Sequence, residues 1–307
     1  MKEIRKILVV IDPTTDEQPA FDAGLELAIA CRADLELFAC EHRDAHLRYH
    51  PVELTVAQHF HDLILENLGR RLDALAEQAR RRGVEPGKTV AWAVPLYEEI
   101  IEKARDLDAD LVVKSTRYHS KIRRTLFTGA DWHLIRDCPV PLLLVKAAKW
   151  PANPLIVAAV DPLHAHDKPA ALDRQLLDTS RLLATALDGR FEVLHVYAMP
   201  GPLEVIGDAA AVATSAATIP HAPSVDEVKQ ALGKLLESYG VGTEGQHLRV
   251  GRPAEGIVEF AEEHEVQFVV MGALSRSRLE RLFVGNTAEA VLDALPCNVW
   301  VEKPAGR

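Results

Sequence analysis

Two stretches of this chain are copies of one another. Asp110 to Lys146 reads DLVVKSTRYHSKIRRTLFTGADWHLIRDCPVPLLLVK, and Gln267 to Lys303 reads QFVVMGALSRSRLERLFVGNTAEAVLDALPCNVWVEK. They align without a gap at a constant offset of 157 residues, with Pro139 on Pro296 and Lys146 on Lys303. Each half also opens on an apolar run ending in Asp-Pro, KILVVIDP from Lys6 and LIVAAVDP from Leu155. Solenoid units repeat at about 20–50 residues, so a period this long marks a duplicated domain. Whatever one half folds into, the other must fold into as well.

A length of 307 residues suggests about two domains of roughly 150 residues each, and each half is long enough to bury a core of its own. The expected domains are 1–149 and 154–304, joined by AAKWPANP (Ala147 to Pro154), whose two prolines discourage a continuous element. A net charge of −10 argues against a nucleic-acid surface, so no DNA partner is expected. The basic runs Arg80 to Arg82 and Lys121 to Arg124 read as solvated helix ends. No apolar stretch is long enough for a membrane span, and Met1 to Lys6 leads straight into a strand-like run without a signal peptide. Cys31, Cys40, Cys138 and Cys297 form no CxxC pair and read as reduced core residues. These features point to a cytoplasmic protein.

Apolar runs of strand length alternate with amphipathic helical stretches in both halves. The strands of the first half are expected at Ile7 to Ile11, Asp34 to Ala39, Lys88 to Val94, Leu111 to Lys114 and Pro141 to Lys146. Those of the second are expected at Leu155 to Val160, Arg190 to Val196, Gly245 to Val250, Phe268 to Met271 and Asn298 to Glu302. Continuous apolar runs suit parallel strands covered on both faces, and the βα alternation calls for right-handed crossovers. The fold class is therefore α/β, each half a five-stranded, mainly parallel, doubly wound sheet. The clearest asymmetry is an alanine-rich insert in the second half between Pro200 and Ser224, readable as a lid or as a helix with a loop.

Open α/β sheets bind ligands beyond the carboxyl ends of their strands, where strand order reverses. Asp12 and Asp161 each follow the first strand of their half. In the second half the loop after the fourth strand reads G-x2-S-x9-G-N-T, from Gly272 through Ser275 to Gly285, Asn286 and Thr287. Glycine permits close backbone approach to a phosphate chain, and a helix N-terminus favours its charge. Arg276 and Arg278 could add cationic contacts. The competing reading is an ordinary strand–loop–helix with Asn286 or Thr287 as the N-cap.

VVMGALSRSRLERLFVGNTAEAVL, the GRPAEGIVEFAEEHEVQF that precedes it and the Asp-Pro ending the first strand together resemble the universal stress protein family. FT-x2-DWHL-x3-CP (Phe127 to Pro139) is similar to the degenerate first domain of the family's tandem branch. The resemblance implies two tandem Rossmann-like or flavodoxin-like domains whose last strands pair antiparallel, giving an internal pseudo-dimer. It also implies ATP, with or without Mg²⁺, as ligand of the second half. Asp161 would meet the adenine and Val196 would pack against it. Gly272 and Ser275 would line the ribose and phosphate path, and Gly285, Asn286 and Thr287 would hold the phosphates. Ser275 stands where the family's binders have glycine, and Asn286 where they have Ser or Thr. A left-handed non-glycine residue costs about 1–2 kcal/mol and a lost charged hydrogen bond about 1.5–3, each roughly a tenfold loss of affinity. At the corresponding positions the first half has Ser115, Tyr118 and Thr128, and no nucleotide is expected there.

The histidines at 42, 46, 50, 59 and 61 complete no recognisable metal motif and read as solvated. There is no G-x-S-x-G elbow and no Walker loop, so no nucleophile, base and orienter assemble and no enzyme is expected. The leading reading is a stress-response binding module switched by nucleotide, with protein partners and a homodimer as expected associations. Its rivals are a carrier of an apolar small molecule, using the insert from Leu203 to Ile219, and a weak ATP hydrolase.

Overall fold

The computed structural model describes residues 3–41, 54–119, 124–126, 128–146, 149–163, 170–197, 223–273 and 286–303. In the first half the elements are β1 (Lys6–Ile11), α1 (Pro19–Cys31), β2 (Asp34–Glu41), α2 (Leu54–Arg81), β3 (Gly87–Trp92), α3 (Leu96–Asp106) and β4 (Leu111–Ser115). A short hairpin, β5 (Arg117–His119) with β6 (Arg124–Leu126), precedes α4 (Gly129–Asp137) and β7 (Leu142–Val145). In the second half they are β8 (Leu155–Ala159), α5 (Ala170–Ala186), β9 (Arg190–Tyr197), α6 (Val225–Leu236), β10 (Gln246–Val250), α7 (Pro253–Glu263), β11 (Phe268–Gly272), α8 (Asn286–Ala294) and β12 (Asn298–Glu302).

The main strands join into one ten-stranded sheet of order β10-β9-β8-β11-β12-β7-β4-β1-β2-β3. Among the described residues its one antiparallel pair is β12 with β7, where Trp300 lies opposite Leu143 and Val299 opposite Leu144. The two last strands thus cover each other's edge, as the resemblance implied, and the halves are related by an approximate two-fold axis between them. An exposed apolar strand such as LLLV would otherwise invite pairing with another chain.

The duplication extends to the backbone of the turns. The helix-to-strand turns after α1, α3, α5 and α7 each place one residue in the left-handed region: Arg32, Asp108, Asp188 and Glu265, with φ between 50° and 55°. The next residue then donates back into the helix, Ala33 to Ala28, Ala109 to Ala104, Gly189 to Ala184 and Val266 to Ala261, at 2.7–3.0 Å. This closure satisfies carbonyls that the helix end leaves open. None of the four left-handed residues is glycine.

The core departs from the expectation of one per half. On one sheet face Leu142 and Leu144 belong to the same buried cluster as Val299, Val301 and Leu155. On the other, Leu143 and Val145 share a cluster with Trp300 and Ile156. Pairing β7 with β12 makes each face continuous, so burial runs across the junction. A third, smaller cluster packs α6 and α5 on β8 and β9, with Leu232, Leu236, Leu177 and Val193. The hairpin after β4 was not anticipated, because RYHSKIRRTL lacks the apolar alternation of a half-buried strand.

Candidate functional site

Each half has the order third-second-first-fourth-fifth strand, so connections reverse direction between β1 and β4 and again between β8 and β11. Asp161 follows β8, and Gly272 ends β11. With Val270 opposite Ala158, the parallel register brings Gly272 beside the Val160–Asp161 link at the second crevice. Asp161 and Gly272 are therefore brought together. Ser275, Arg276, Arg278 and Gly285 lie outside the described residues, as does the insert from Leu203 to Ile219. Asn286 and Thr287 open α8. Val196 lies in β9, 7% exposed, with Ile257 and Phe260 in its cluster. A methyl group on Gly256 of α7 would come within 2.7 Å of Val196 Cγ1, so that glycine is what lets the helix sit on this strand.

The two aspartates are held differently. Asp12 Oδ1 accepts from the Thr14 amide at 2.8 Å and from the Thr14 hydroxyl at 2.6 Å. The carboxylate thereby caps its own turn. The Asp12 amide donates to Gln18 Oε1 at 3.1 Å, and the Gln18 amide donates back to the Asp12 and Thr15 carbonyls at 2.8 and 2.7 Å. In the second half Leu163 stands two residues after the aspartate and offers no hydroxyl. Asp161 Oδ2 is buried and has no hydrogen-bond partner among the described residues. The Asp161 amide donates to Oδ1 of the fully buried Asp173 at 3.1 Å. His195 Nδ1 lies 2.9 Å from the Val160 carbonyl.

At the start of α4 the first half is filled from within. Asp131 is 1% exposed, and its Oδ1 lies 2.6 Å from Lys114 Nζ. Its Oδ2 accepts from the Thr128 amide and hydroxyl at 2.7 and 2.8 Å, closing a capping box with Thr128. Ser115 ends β4 and Tyr118 belongs to the hairpin. In the second half Met271 and Ala288, both buried in the apolar cluster, replace Lys114 and Asp131. Nothing in the spacing flagged this ion pair. A lysine closing the apolar run LVVK was its one trace, because a buried ammonium needs a counter-charge.

The remaining candidates take structural places. His61 packs at a tilt against Trp92 with ring centroids 4.7 Å apart, and His133 stacks on Tyr97 at 4.0 Å. His42, His46 and His50 lie outside the described residues. Among the described residues, no group of three or more His, Cys, Asp and Glu side chains is placed to hold a metal. Cys40, Cys138 and Cys297 are buried and Cys31 half-buried, all as free thiols. Burial pushes Cys40 up to about 11 and Cys297 up to about 12, away from reactivity. No helix among the described residues is long and apolar enough to cross a membrane.

Comparison with known proteins agrees with this architecture. The model of the universal stress protein family matches residues 3–146 and again 155–303. Universal stress protein E of Photorhabdus laumondii is 28% identical over 310 residues, covering 100% of this chain and 97% of that protein. Universal stress protein E of Escherichia coli is 29% identical over 315 residues, covering 99% and 95%. Among solved structures, a functionally unknown protein from Pseudomonas aeruginosa superposes with a TM-score of 0.71 at 24% identity, covering 98% of this chain and 93% of that one. An Archaeoglobus fulgidus universal stress protein superposes at 0.65 and 14% identity, covering 97% and 96%, which speaks for the fold alone. With two matched domains filling its length and joined through their last strands, the chain belongs to the universal stress protein family, as a tandem, two-domain homologue of universal stress protein E.

Proposed function

We propose that this is a cytoplasmic stress-response binding protein that takes one nucleotide, ATP or a close relative, in its second half, and uses it to shift conformation or partner contacts. The observation that supports this reading is Asp161 Oδ2, a buried acceptor at the second crevice without a donor among the described residues. A buried unpaired acceptor costs about 1–3 kcal/mol, more when charged, and a ligand amino or hydroxyl group relieves that cost. An adenine amino group or a ribose hydroxyl has this chemistry. Gly272 beside it leaves room for the ligand to approach the backbone, and α8 begins just beyond the loop, where its N-terminus would favour a phosphate. The Asp12 carboxylate already accepts from Thr14, and the start of α4 already holds Asp131, so the first half is the silent copy.

The reading is of binding rather than turnover, and it assigns no catalytic residue. As a switch, the site acts only as far as nucleotide prefers one conformation over another. Isothermal calorimetry with Mg-ATP tests it. The expected result is one site per chain, weakened about tenfold or more by Asp161→Ala, the loss that one charged hydrogen bond gives. Gly272→Val and Gly285→Val should abolish uptake while leaving the circular dichroism spectrum unchanged. Equal affinity in all three variants would refute it. Native mass spectrometry showing a retained apolar molecule and no ATP uptake would favour the carrier instead.

A further inference from the structure

One peptide group at the second crevice is gripped on both sides by buried ionisable side chains. The link joining Val160 to Asp161 has its carbonyl 2.9 Å from His195 Nδ1 and its N–H donating to Asp173 Oδ1 at 3.1 Å. Asp173 comes from the first turn of α5 and is 0% exposed; His195 comes from the interior of β9 and is 4% exposed. A contact with a carbonyl requires Nδ1 to carry the ring proton, which fixes this edge of the imidazole as donor. The Val160 amide is held as well, donating to Leu194 at 3.0 Å. Strands β8 and β9 and helix α5 therefore fix the residue that presents the Asp161 carboxylate.

The fold does not require this arrangement. In the first half the same turn forms with Ala39 opposite Ile11, at the place His195 takes beside Val160. There the Asp12 amide is met by a neutral amide, Gln18 Oε1. Burying a carboxylate and an imidazole where alanine and glutamine suffice is unfavourable unless the geometry serves something else. What differs downstream is the aspartate, self-capped in the first half and, in the second, with its buried Oδ2 lacking a donor among the described residues.

We infer that Asp173 and His195 are positioning residues of the ligand site: by clamping the Val160–Asp161 peptide they hold the Asp161 carboxylate away from any internal cap and ready for a ligand donor. This rests on the proposed nucleotide reading for its ligand, though not for its geometry. The clamp acts through hydrogen-bonding atoms at fixed positions. A variant that keeps such an atom should therefore work, and one that keeps only the volume should not.

The test uses two pairs of variants in the full chain. Asp173→Leu and His195→Leu remove the bonding atoms, while Asp173→Asn keeps the acceptor and His195→Asn places an amide donor near the position of Nδ1. Two quantities are read: hydrogen exchange of the Asp161 amide by NMR, and Mg-ATP affinity by calorimetry. The leucine variants should exchange about tenfold faster at Asp161 and bind about tenfold more weakly, and the asparagine variants should recover most of both. Asparagine variants as impaired as the leucine ones would show a general packing role and overturn the inference. So would leucine variants with unchanged exchange and affinity. If the leucine variants do not fold, Asp173→Glu decides: it keeps the charge but displaces the oxygen by one methylene, and the clamp predicts lost protection at Asp161 where a purely electrostatic role predicts none. If the unaltered chain takes up no Mg-ATP, the nucleotide reading falls. The exchange rate at Asp161 then judges the clamp alone, and unchanged rates overturn it.

Discussion

Lys146 Nζ donates to the carbonyls of Leu292 and Leu295, at 2.6 and 2.7 Å, at the end of α8 in the other half, while its duplicate Lys303 donates to the carbonyls of Leu134 and Cys138 at the end of α4. Each half thus supplies the cation that closes the last helix of the other. Helix C-termini present unpaired carbonyls and a partial negative charge, so an ammonium is well placed there. The Lys146 amide also donates to the buried Asn298 Oδ1 at 2.9 Å. With β7 paired to β12, these exchanged caps tie the duplicated domains into one body.

Replacing either lysine by methionine keeps the volume and strands the carbonyls. Lys146→Met and Lys303→Met should each lower stability by about 1–3 kcal/mol in denaturant unfolding. Loss of the two caps together should be close to additive, since they close different helices. A double variant no less stable than the original would contradict the capping role.

The same lysines give a pH signature. Burial, the largest cause, lowers Lys146 and Lys303 from 10.5 to about 8. Between about 8 and 10.5 the unfolded chain then holds more protons than the folded one, so stability from these groups rises with pH in that window and is lost as pH falls through 8. The buried thiols act in the opposite sense, because raised thiol pKa values give stability that is present below 9 and lost as pH climbs toward about 11 for Cys40 and about 12 for Cys297. In the interval from pH 8 to 9 the lysines dominate the slope, since there the thiols only begin to titrate in the unfolded chain. Urea unfolding across it should show stability rising in the unaltered chain and a flatter slope in Lys146→Met. Equal slopes would refute the assignment.

Lys114 and Asp131 stand where the second half has Met271 and Ala288. Asp131→Ala should cost about 3–5 kcal/mol, because it leaves a buried ammonium without its partner. The double change Lys114→Met with Asp131→Ala should recover most of that loss, restoring the apolar pair the second half already uses. A single variant as stable as the double would show that the pair is not a buried ion pair in solution.

Gly256 sets how closely α7 approaches β9. Gly256→Ala pushes on Val196 and should cost about 1–3 kcal/mol as overpacking. If Val196 borders the ligand, Mg-ATP affinity falls as well. Thr128→Ala in the first half should cost about 1 kcal/mol as a lost cap and leave affinity unchanged.

The offset that placed Pro139 on Pro296 and Lys146 on Lys303 carried most of the fold, because a duplicated sequence must fold twice into the same domain. The parallel sheet was legible for a similar reason: strands covered on both faces become continuous apolar runs, as in KILVVI. The shared core was not legible, since period and hydropathy are local while the β7–β12 pairing is a contact between distant segments. At the site, Asp161 and Gly272 could be marked from strand ends and glycine spacing. Asp173 and His195 could not, because a lone Asp in a helix and a lone His in a strand have many roles. Only the Val160–Asp161 peptide between them reveals theirs.

The most direct measurement is calorimetric titration of the chain with Mg-ATP, alongside Asp161→Ala and Asp12→Ala. The account predicts one site per chain, lost or weakened about tenfold in Asp161→Ala and unchanged in Asp12→Ala. Two sites per chain, or a single site indifferent to Asp161, would contradict it.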